Sequence, residues 1–365
     1  MAQSTPAPLN TALREQVVMV PKGNGLLATA LETTVFRPPG EGPFPVVVIN
    51  HGKESGDPRF QARARYEVAS RAFLERGYMV VLPMRQGFSK STGSYIRGGC
   101  NITSNGRAQA EDITAALAYV RTLPDADSSR IVVAGQSHGG LSTMALGALP
   151  PPEGVRALIN FAGGLRNDNC TAWEAALSDA FASYGKTTQL PSLWFYGSND
   201  SFWPEALARD MHARFVASGG QAKLVAFGHF GKDAHQLFSS RDGLAVWLPE
   251  VEAFLAGLGL PAKATVTLPS LSHERPLPPA THAFALDDAD AIPHVKATAR
   301  EGYRKFLAAP WPRAFAIAST GAWAYIHGRA DAMSAALARC TEFAKPQGGT
   351  CQLYAVDDRI VWPAP

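Results

Sequence analysis

No stretch of this sequence approaches the roughly 18 to 20 consecutive apolar residues that a membrane-spanning helix needs. Runs such as Val46 to Ile49 have the length of a buried strand. An excess of one charge sign is also missing: 34 Lys and Arg stand against 31 Asp and Glu, a net charge of +3 with no basic run. Nothing here would attract a phosphate backbone or an anionic lipid surface, so neither nucleic acid nor membrane is expected as a partner. Cysteine is sparse, with four residues and no C-x-x-C, and the nine histidines do not fall at zinc spacings around them. Neither a metal nor a cofactor is called for. The polar, strongly charged composition of a disordered chain is absent as well, since 46% of residues are hydrophobic and 18% charged. A chain of 365 residues is long enough for about two domains, each with its own core. It contains no internal repeat and no low-complexity tract.

The first eight residues, Met1 to Pro8, have neither a basic nor an apolar region and do not read as a signal peptide. A start Met ahead of Ala2-Gln3-Ser4-Thr5-Pro6 fits a stump beyond a signal-peptidase site as well as it fits a flexible cytosolic tail. Cys340 and Cys351 flank a turn-rich segment containing Pro346-Gln347-Gly348-Gly349, which suits a short-loop disulfide. Cys100 and Cys170 would then pair, both lying in polar Gly/Asn surroundings where an inert core thiol is not expected. Four unpaired thiols in a cytosolic enzyme are the alternative. Paired cysteines persist in oxidising compartments, so the expectation is a periplasmic or secreted protein, with the cytoplasm as the other choice.

From residue 15 to 257 strand-like and helix-like segments alternate as in a mostly parallel α/β sheet. Eight strands are predicted: Gln16–Val20, Leu31–Phe36, Pro45–Asn50, Tyr78–Leu82, Ile131–Ala134, Ala157–Phe161, Ser192–Tyr196 and Lys223–Phe227. Helical patterns cover Gln61–Glu75, Arg107–Arg121, Leu141–Leu149, Thr171–Ala182, Pro204–Ala217 and Leu244–Leu255. Residues 1–14 read as a tail and residues 258–282, with five prolines among Ser, Thr and Ala, as a linker. Residues 283–365 read as a small α+β unit with helices over Pro293–Leu307 and Arg329–Phe343 and strands over Ala314–Ser319 and Gln352–Val356.

The strongest local signal is Arg130-Ile131-Val132-Val133-Ala134-Gly135-Gln136-Ser137-His138-Gly139-Gly140-Leu141. A short apolar strand runs into G-x-S-x-G and an Ala/Leu/Met-rich helix follows, the context in which a nucleophilic serine sits on a tight strand-to-helix turn. Ser137 is therefore the candidate nucleophile. A serine hydroxyl needs a base to take its proton and a carboxylate to fix that base. Asp200, after the strand Ser192–Tyr196, lies at the strand edge where α/β proteins bind ligands, and Asp168 is its rival. His235, in the loop after the last strand, is the candidate base and His229 the runner-up. His282, His294 and His327 lie in the C-terminal unit, where surface or capping roles are expected. The backbone N–H of Lys53, in Asn50-His51-Gly52-Lys53-Glu54, and that of His138 are the expected oxyanion donors.

With these residues in place, 15–257 resembles the α/β-hydrolase superfamily, most closely its dienelactone hydrolase-like and prolyl-oligopeptidase-like branch. The resemblance rests on Gly135-Gln136-Ser137-His138-Gly139-Gly140, on Asp112 to Tyr119 leading to Asp127-Ser128-Ser129-Arg130-Ile131, and on Pro83-Met84-Arg85-Gln86-Gly87-Phe88-Ser89. It implies an α/β-hydrolase fold, a mostly parallel eight-stranded sheet flanked by helices, with the small C-terminal α+β unit added. Dienelactone hydrolases proper use a cysteine where this chain has Ser137, which turns the reading away from a dienelactone. Only residues 1–15 precede the first strand, in place of the large propeller of the oligopeptidases. The expected function is a serine esterase working through an acyl-enzyme on a small-molecule or polymeric ester. A peptidase or amidase with the same triad is the second reading, and a non-catalytic binding protein on a hydrolase scaffold the third. Trp173, Phe202 and Trp203 are candidates for an acyl-binding rim, with core packing as their other role.

Overall fold

The computed structural model describes residues 9–25, 28–167, 169–268, 277–281, 283–309, 311–328 and 331–363. Two compact units divide the chain between Leu268 and Pro269. The first is built on an eight-stranded sheet. Its entry is an antiparallel pair, β1 (Gln16–Lys22) with β2 (Thr29–Phe36), registered from Gln16 opposite Val35 to Lys22 opposite Thr29. Then come β3 (Phe44–Asn50), β4 (Met79–Pro83), β5 (Ala126–Gln136), β6 (Val155–Phe161), β7 (Ser192–Tyr196) and β8 (Ala222–Ala226), all mutually parallel. The order across the sheet is β1-β2-β4-β3-β5-β6-β7-β8.

All seven residues of β3 are buried, which explains why its sequence is a continuous apolar run with no alternation: a parallel strand in mid-sheet is covered on both faces. The two faces separate cleanly. Val46, Val48 and Val133 point into one core with α2 (Ile102–Val120), α3 (His138–Gly147), α4 (Trp173–Gly185) and α5 (Glu205–Ala217). Val47, Ile49 and Ala134 point into the other with α1 (Glu67–Leu74) and α6 (Leu244–Gly257). Parallel strands send their carboxyl ends to one edge, so the loops after β3, β5, β7 and β8 converge there.

Several boundaries differ from the sequence reading for identifiable reasons. The helix expected over Gln61–Glu75 begins only at Glu67, and the residues before it form an extended strap. Arg63 Nη1 lies 2.6 Å from the buried carboxylate of Glu15, Arg65 binds the other oxygen of that carboxylate, and Tyr66 adopts a left-handed conformation at φ 41°. Glu15 also accepts the Asn10 N–H at 2.6 Å, and Leu13 is fully buried, so residues 9–14 belong to the core of the first unit and not to a loose tail. In the other direction, α2 starts five residues before Arg107 because Asn101 caps it, its Oδ1 accepting Ser104 N–H at 3.0 Å. At the far end, residues 258–268 continue to pack on the first unit. Tyr78 donates its hydroxyl to Pro261 O at 2.9 Å, Arg76 Nε donates to Ala262 O at 3.0 Å, and Leu260 and Leu268 are buried.

The second unit is a four-stranded antiparallel sheet, β9 (Arg313–Ala318), β10 (Trp323–His327), β11 (Cys351–Val356) and β12 (Arg359–Ile360), in the order β10-β9-β11-β12. β10 and β12 were not foreseen from sequence. On one face Phe315 and Ile317 meet the aromatic side of α7 (Ala297–Ala308), with Tyr303, Phe306 and Tyr354. On the other, Ala314, Ala316 and Ala318 meet Ala332, Ala336 and Cys340 of α8 (Ala332–Ala344), small residues that let helix and sheet approach closely. α7 begins at Ala297 and not at Pro293, since His294 has φ 64°. The start of the helix expected at Arg329 lies outside the described residues. Both disulfides are formed: Cys340–Cys351 staples α8 to β11 with a Cα–Cα distance of 5.9 Å, and Cys100–Cys170 spans 5.4 Å.

Candidate active site

β5 delivers Ser137 directly into α3, and the turn is as tight as the sequence demands. Ser137 has φ 56° and ψ −125°, a conformation that costs a non-glycine residue about 1–3 kcal/mol and persists only where surroundings enforce it. The enforcement comes from the glycines. A side chain at Gly139 would fall on the carbonyls of Asn50 and His51, and one at Gly140 would meet Gly163 Cα at 2.6 Å. Strand, turn and helix thus cross at backbone contact, and Ser137 is left half-buried.

The loop after β3 lies against this turn. A Cβ at Gly52 would stand 3.3 Å from Ser137 Cβ, so Gly52 brings its backbone to the serine. The next amide, Lys53 N–H, and the first amide of α3, His138 N–H, have no acceptor in any hydrogen bond of the described residues. The Lys53 ammonium is held by carbonyls of its own loop, Glu54 O at 3.0 Å and Gly56 O at 2.9 Å. The loop itself is clamped from beneath. His51 Nε2 accepts Arg85 N–H at 3.1 Å, its Nδ1 sits 2.7 Å from Gly52 O, and Arg85 Nη1 donates to His51 O at 2.6 Å. Burial, then the Arg85 charge, push the His51 pKa well below its usual value, so the ring is neutral with its proton on Nδ1. Tyr66 Oη accepts Gly52 N–H at 3.1 Å, and Gln61 ties Gly52 O and Glu54 N–H together at 3.0 and 2.9 Å.

Asp200 and His235 meet as the sequence predicts. His235 Nδ1 lies 3.1 and 3.0 Å from the two carboxylate oxygens of Asp200, both side chains being almost wholly buried. Asp200 Oδ1 also accepts Phe202 N–H at 2.8 Å and Trp203 N–H at 3.0 Å, which fixes the carboxylate at the start of its loop. With Nδ1–H directed at Asp200, Nε2 is the ring's acceptor, and it has no hydrogen bond among the described residues. Gln136, adjacent to Ser137, donates Nε2–H to His235 O at 2.7 Å and so draws the histidine loop to the Ser137 turn. His229 is exposed in the same loop, and Asp168 lies outside the described residues, as does His282. His294 and His327 belong to the second unit; His327 is exposed at the end of β10, and His294 lies 6.4 Å from Trp362, ring to ring.

The three rim aromatics take different positions. Phe202 is 43% exposed and its ring lies 4.5 Å from that of His235. Trp203 is 1% exposed, donates its indole N–H to Ala162 O at 2.7 Å and fills the space left by Gly164, so its ring is core. Trp173, half-buried, packs on Trp203 at 6.0 Å with Arg166 over its other side at 5.6 Å. His138 directs its ring away from the turn to Asn105 Oδ1 at 3.0 Å; burial, then Arg85 and Lys53, depress its pKa and keep it neutral. Sequence reasoning missed Gln136, Tyr66 and Arg85. Arg85 and Gln136 stand in stretches that carry the family resemblance, Pro83 to Ser89 and Gly135 to Gly140, where the sequence assigns them no role; Tyr66 carries no such signal.

A family model described as X-Pro dipeptidyl-peptidase (S15 family) matches residues 25–207, half of the chain. The chain belongs to the S15 family. The match takes in Ser137 and Asp200 and ends before His235. No curated protein matches this S15-family chain in sequence. Among solved structures it is similar to the Pyrococcus furiosus esterase Pf2001, at 14% identity and TM-score 0.50, over 69% of this chain and 97% of that one. It is also similar to a puromycin-hydrolyzing peptidase of Mycobacterium tuberculosis (18% identity, TM-score 0.49, 69% of this chain and 40% of that one) and to Thermogutta terrifontis esterase 2 (17%, 0.47, 68% and 96%). At such identities the likeness is one of fold. The S15-family protein is a serine hydrolase on an α/β-hydrolase scaffold, with an added C-terminal antiparallel sheet.

Proposed function

We propose that this hydrolase cleaves carboxylic esters through an acyl-enzyme, with Ser137 as nucleophile, His235 as general base and Asp200 as the group that orients His235. The observation that carries the reading is the buried Asp200–His235 pair at 3.0 Å, tied through the His235 carbonyl to Gln136, the residue beside Ser137. In the acylation step Ser137 Oγ bonds to the ester carbonyl carbon while its proton passes to His235 Nε2. The imidazolium so formed is stabilised by Asp200 across Nδ1–H, and the negative oxygen of the tetrahedral intermediate is held by Lys53 N–H and His138 N–H. One such donor typically contributes about 3 kcal/mol at the transition state. Collapse expels the alkoxide, which takes the proton from His235; water, deprotonated by the same ring, then releases the acid and regenerates Ser137. The exposed ring of Phe202 beside His235 suits a bulky or apolar acyl group.

A peptidase acting with the same residues is the second reading, favoured by the description of the matching family. Its chemistry differs in one demand: an amine leaves only after protonation, so the substrate nitrogen must be held close to His235 Nε2. Comparing p-nitrophenyl acetate and butyrate with Ala-Pro-p-nitroanilide separates the two. The ester reading expects kcat/KM about a hundred-fold or more higher on the esters, and a preference for the anilide overturns it in favour of the peptidase. Two disulfides in the described residues support a periplasmic or secreted location.

A further inference from the structure

Two loops carry the Asp200–His235 pair, and neither belongs to a regular element. What keeps them in register is a set of hydrogen bonds that the triad itself does not use. Asn199 Oδ1 accepts Phe230 N–H at 2.9 Å while its Nδ2 donates to Phe230 O at 3.2 Å, and Ser198 N–H donates to Gly228 O at 2.8 Å. Closer to the site the joint is a single carboxylate. Asp233 Oδ1 accepts His235 N–H at 2.9 Å and Ser201 N–H at 3.0 Å, and Oδ2 accepts the Ser201 hydroxyl at 2.8 Å. Asp233 therefore holds the backbone of the candidate base with one oxygen and, through the same oxygen, the residue that follows Asp200. It also caps the 3-10 turn Ala234–Gln236 on which His235 rides. The carboxyl is half-buried, and although burial raises it, the bonds from His235 and Ser201 outweigh that and hold it below the usual carboxylate range. The acceptor is ionised at neutral pH.

We infer that Asp233 is a positioning residue for the reaction: by bridging His235 N–H to the Asp200 loop, it sets the place of the His235 ring relative to Ser137. The inference rests on the triad reading above. His235 is then fixed at three points, N–H by Asp233, C=O by Gln136 and Nδ1 by Asp200, which leaves Nε2 as its one unengaged polar atom. Displacement of a catalytic group by about 1 Å costs on the order of a hundred-fold in rate. Because both backbone bonds end on Oδ1, an amide oxygen in that position serves as well as a carboxylate, whereas a longer arm does not.

The test uses the full chain, p-nitrophenyl butyrate and three variants at position 233. Asp233→Asn is expected to stay within about three-fold of wild type, while Asp233→Ala and Asp233→Glu lose about thirty-fold or more in kcat with KM within about two-fold. The low-field proton resonance of the His235–Asp200 hydrogen bond should persist in Asp233→Asn and be lost or broadened in the other two. If Asp233→Ala does not fold, the contrast between Asn and Glu carries the test: geometry predicts Asn active and Glu impaired, and a requirement for charge predicts the reverse and overturns the inference. Wild-type kcat in Asp233→Ala or Asp233→Glu also overturns it. His235→Ala, measured alongside, separates the two levels. Undiminished turnover there removes the triad reading itself, and its collapse beside a fully active Asp233→Glu removes only the positioning role.

Discussion

At Ser137 the backbone conformation and the chemistry are the same fact. Ser137 is held at φ 56° at the end of a buried strand, and the neighbouring glycines are what permit it. Gly139→Ala places a methyl group on the Asn50 carbonyl; forcing it in costs about 3 kcal/mol and displaces the turn, so urea unfolding should show that loss and hydrolysis of p-nitrophenyl butyrate should fall with it. Phe202 gives a milder prediction. If its exposed ring borders the acyl site, as the proposed function has it, it contributes about 1 kcal/mol of apolar contact to an acyl chain, so Phe202→Ala should raise KM for p-nitrophenyl butyrate roughly five-fold and leave p-nitrophenyl acetate little changed. Equal effects on both esters would assign the ring to packing. Ser137, Asp200 and His235 could be picked out as candidates because each follows a strand of the sheet, and the structure places the last two in contact. Gln136 and Asp233 could not be picked out, since they act through their neighbours' backbone, and a Gln or an Asp in a loop carries no mark of the amide it binds.

At the scale of elements, the first unit closes with a segment that composition assigns to a linker. Residues 258–268 are held by Arg76, whose guanidinium reaches Ala262 O at 3.0 Å, Ala72 O at 2.5 Å and Glu252. Arg76 is buried, and removing it leaves the Ala262 and Ala72 carbonyls without that donor and Glu252 with Lys263 alone at 3.5 Å, at a cost of about 3 kcal/mol. Arg76→Ala should therefore lower the thermal midpoint and open residues 258–268 to proteolysis, and unchanged resistance there would refute the anchoring role. The Arg76 bond holds Glu252 below the usual glutamate value of 4.5. A depressed acid stabilises the fold above its unfolded pKa and loses that contribution as pH falls through its folded one, so the stability gap between wild type and Glu252→Gln should narrow below about pH 4.5. Proline-rich composition hid this segment because its partners, Glu75, Arg76 and Tyr78, lie far away in sequence. The strap at residues 61–66 was hidden for the same reason. Its helical pattern is genuine, but two arginines are drawn to the buried carboxylate of Glu15 and hold the chain extended.

For the whole molecule, the eight strands and the mostly parallel sheet followed from the alternation of strand and helix, and the flanking helices from the family resemblance; the order β1-β2-β4-β3-β5-β6-β7-β8 is set by long-range pairing that no local pattern records. The antiparallel sheet of the second unit was only half visible, because Trp323–His327 pairs with β9 across the Thr320–Gly321 turn, and an apolar run as short as Ala322–Ile326 does not by its period mark a strand. That unit leans on its disulfide. Closing an 11-residue separation removes about 3 kcal/mol of unfolded-state entropy, so reduction of Cys340–Cys351 should speed hydrogen exchange in α8 and β11 roughly a hundred-fold. Thiol titration of denatured, unreduced protein should count none of the four cysteines as free, and a count of four would contradict both the pairing and an oxidising location. The claim on which the whole account turns is that Ser137 is the nucleophile. Hydrolysis of p-nitrophenyl acetate and butyrate by wild type and Ser137→Ala tests it most directly. Removing the serine of a working triad lowers the catalysed rate by about 10⁶-fold, so the account predicts a fall to background; equal rates in the two proteins would contradict it.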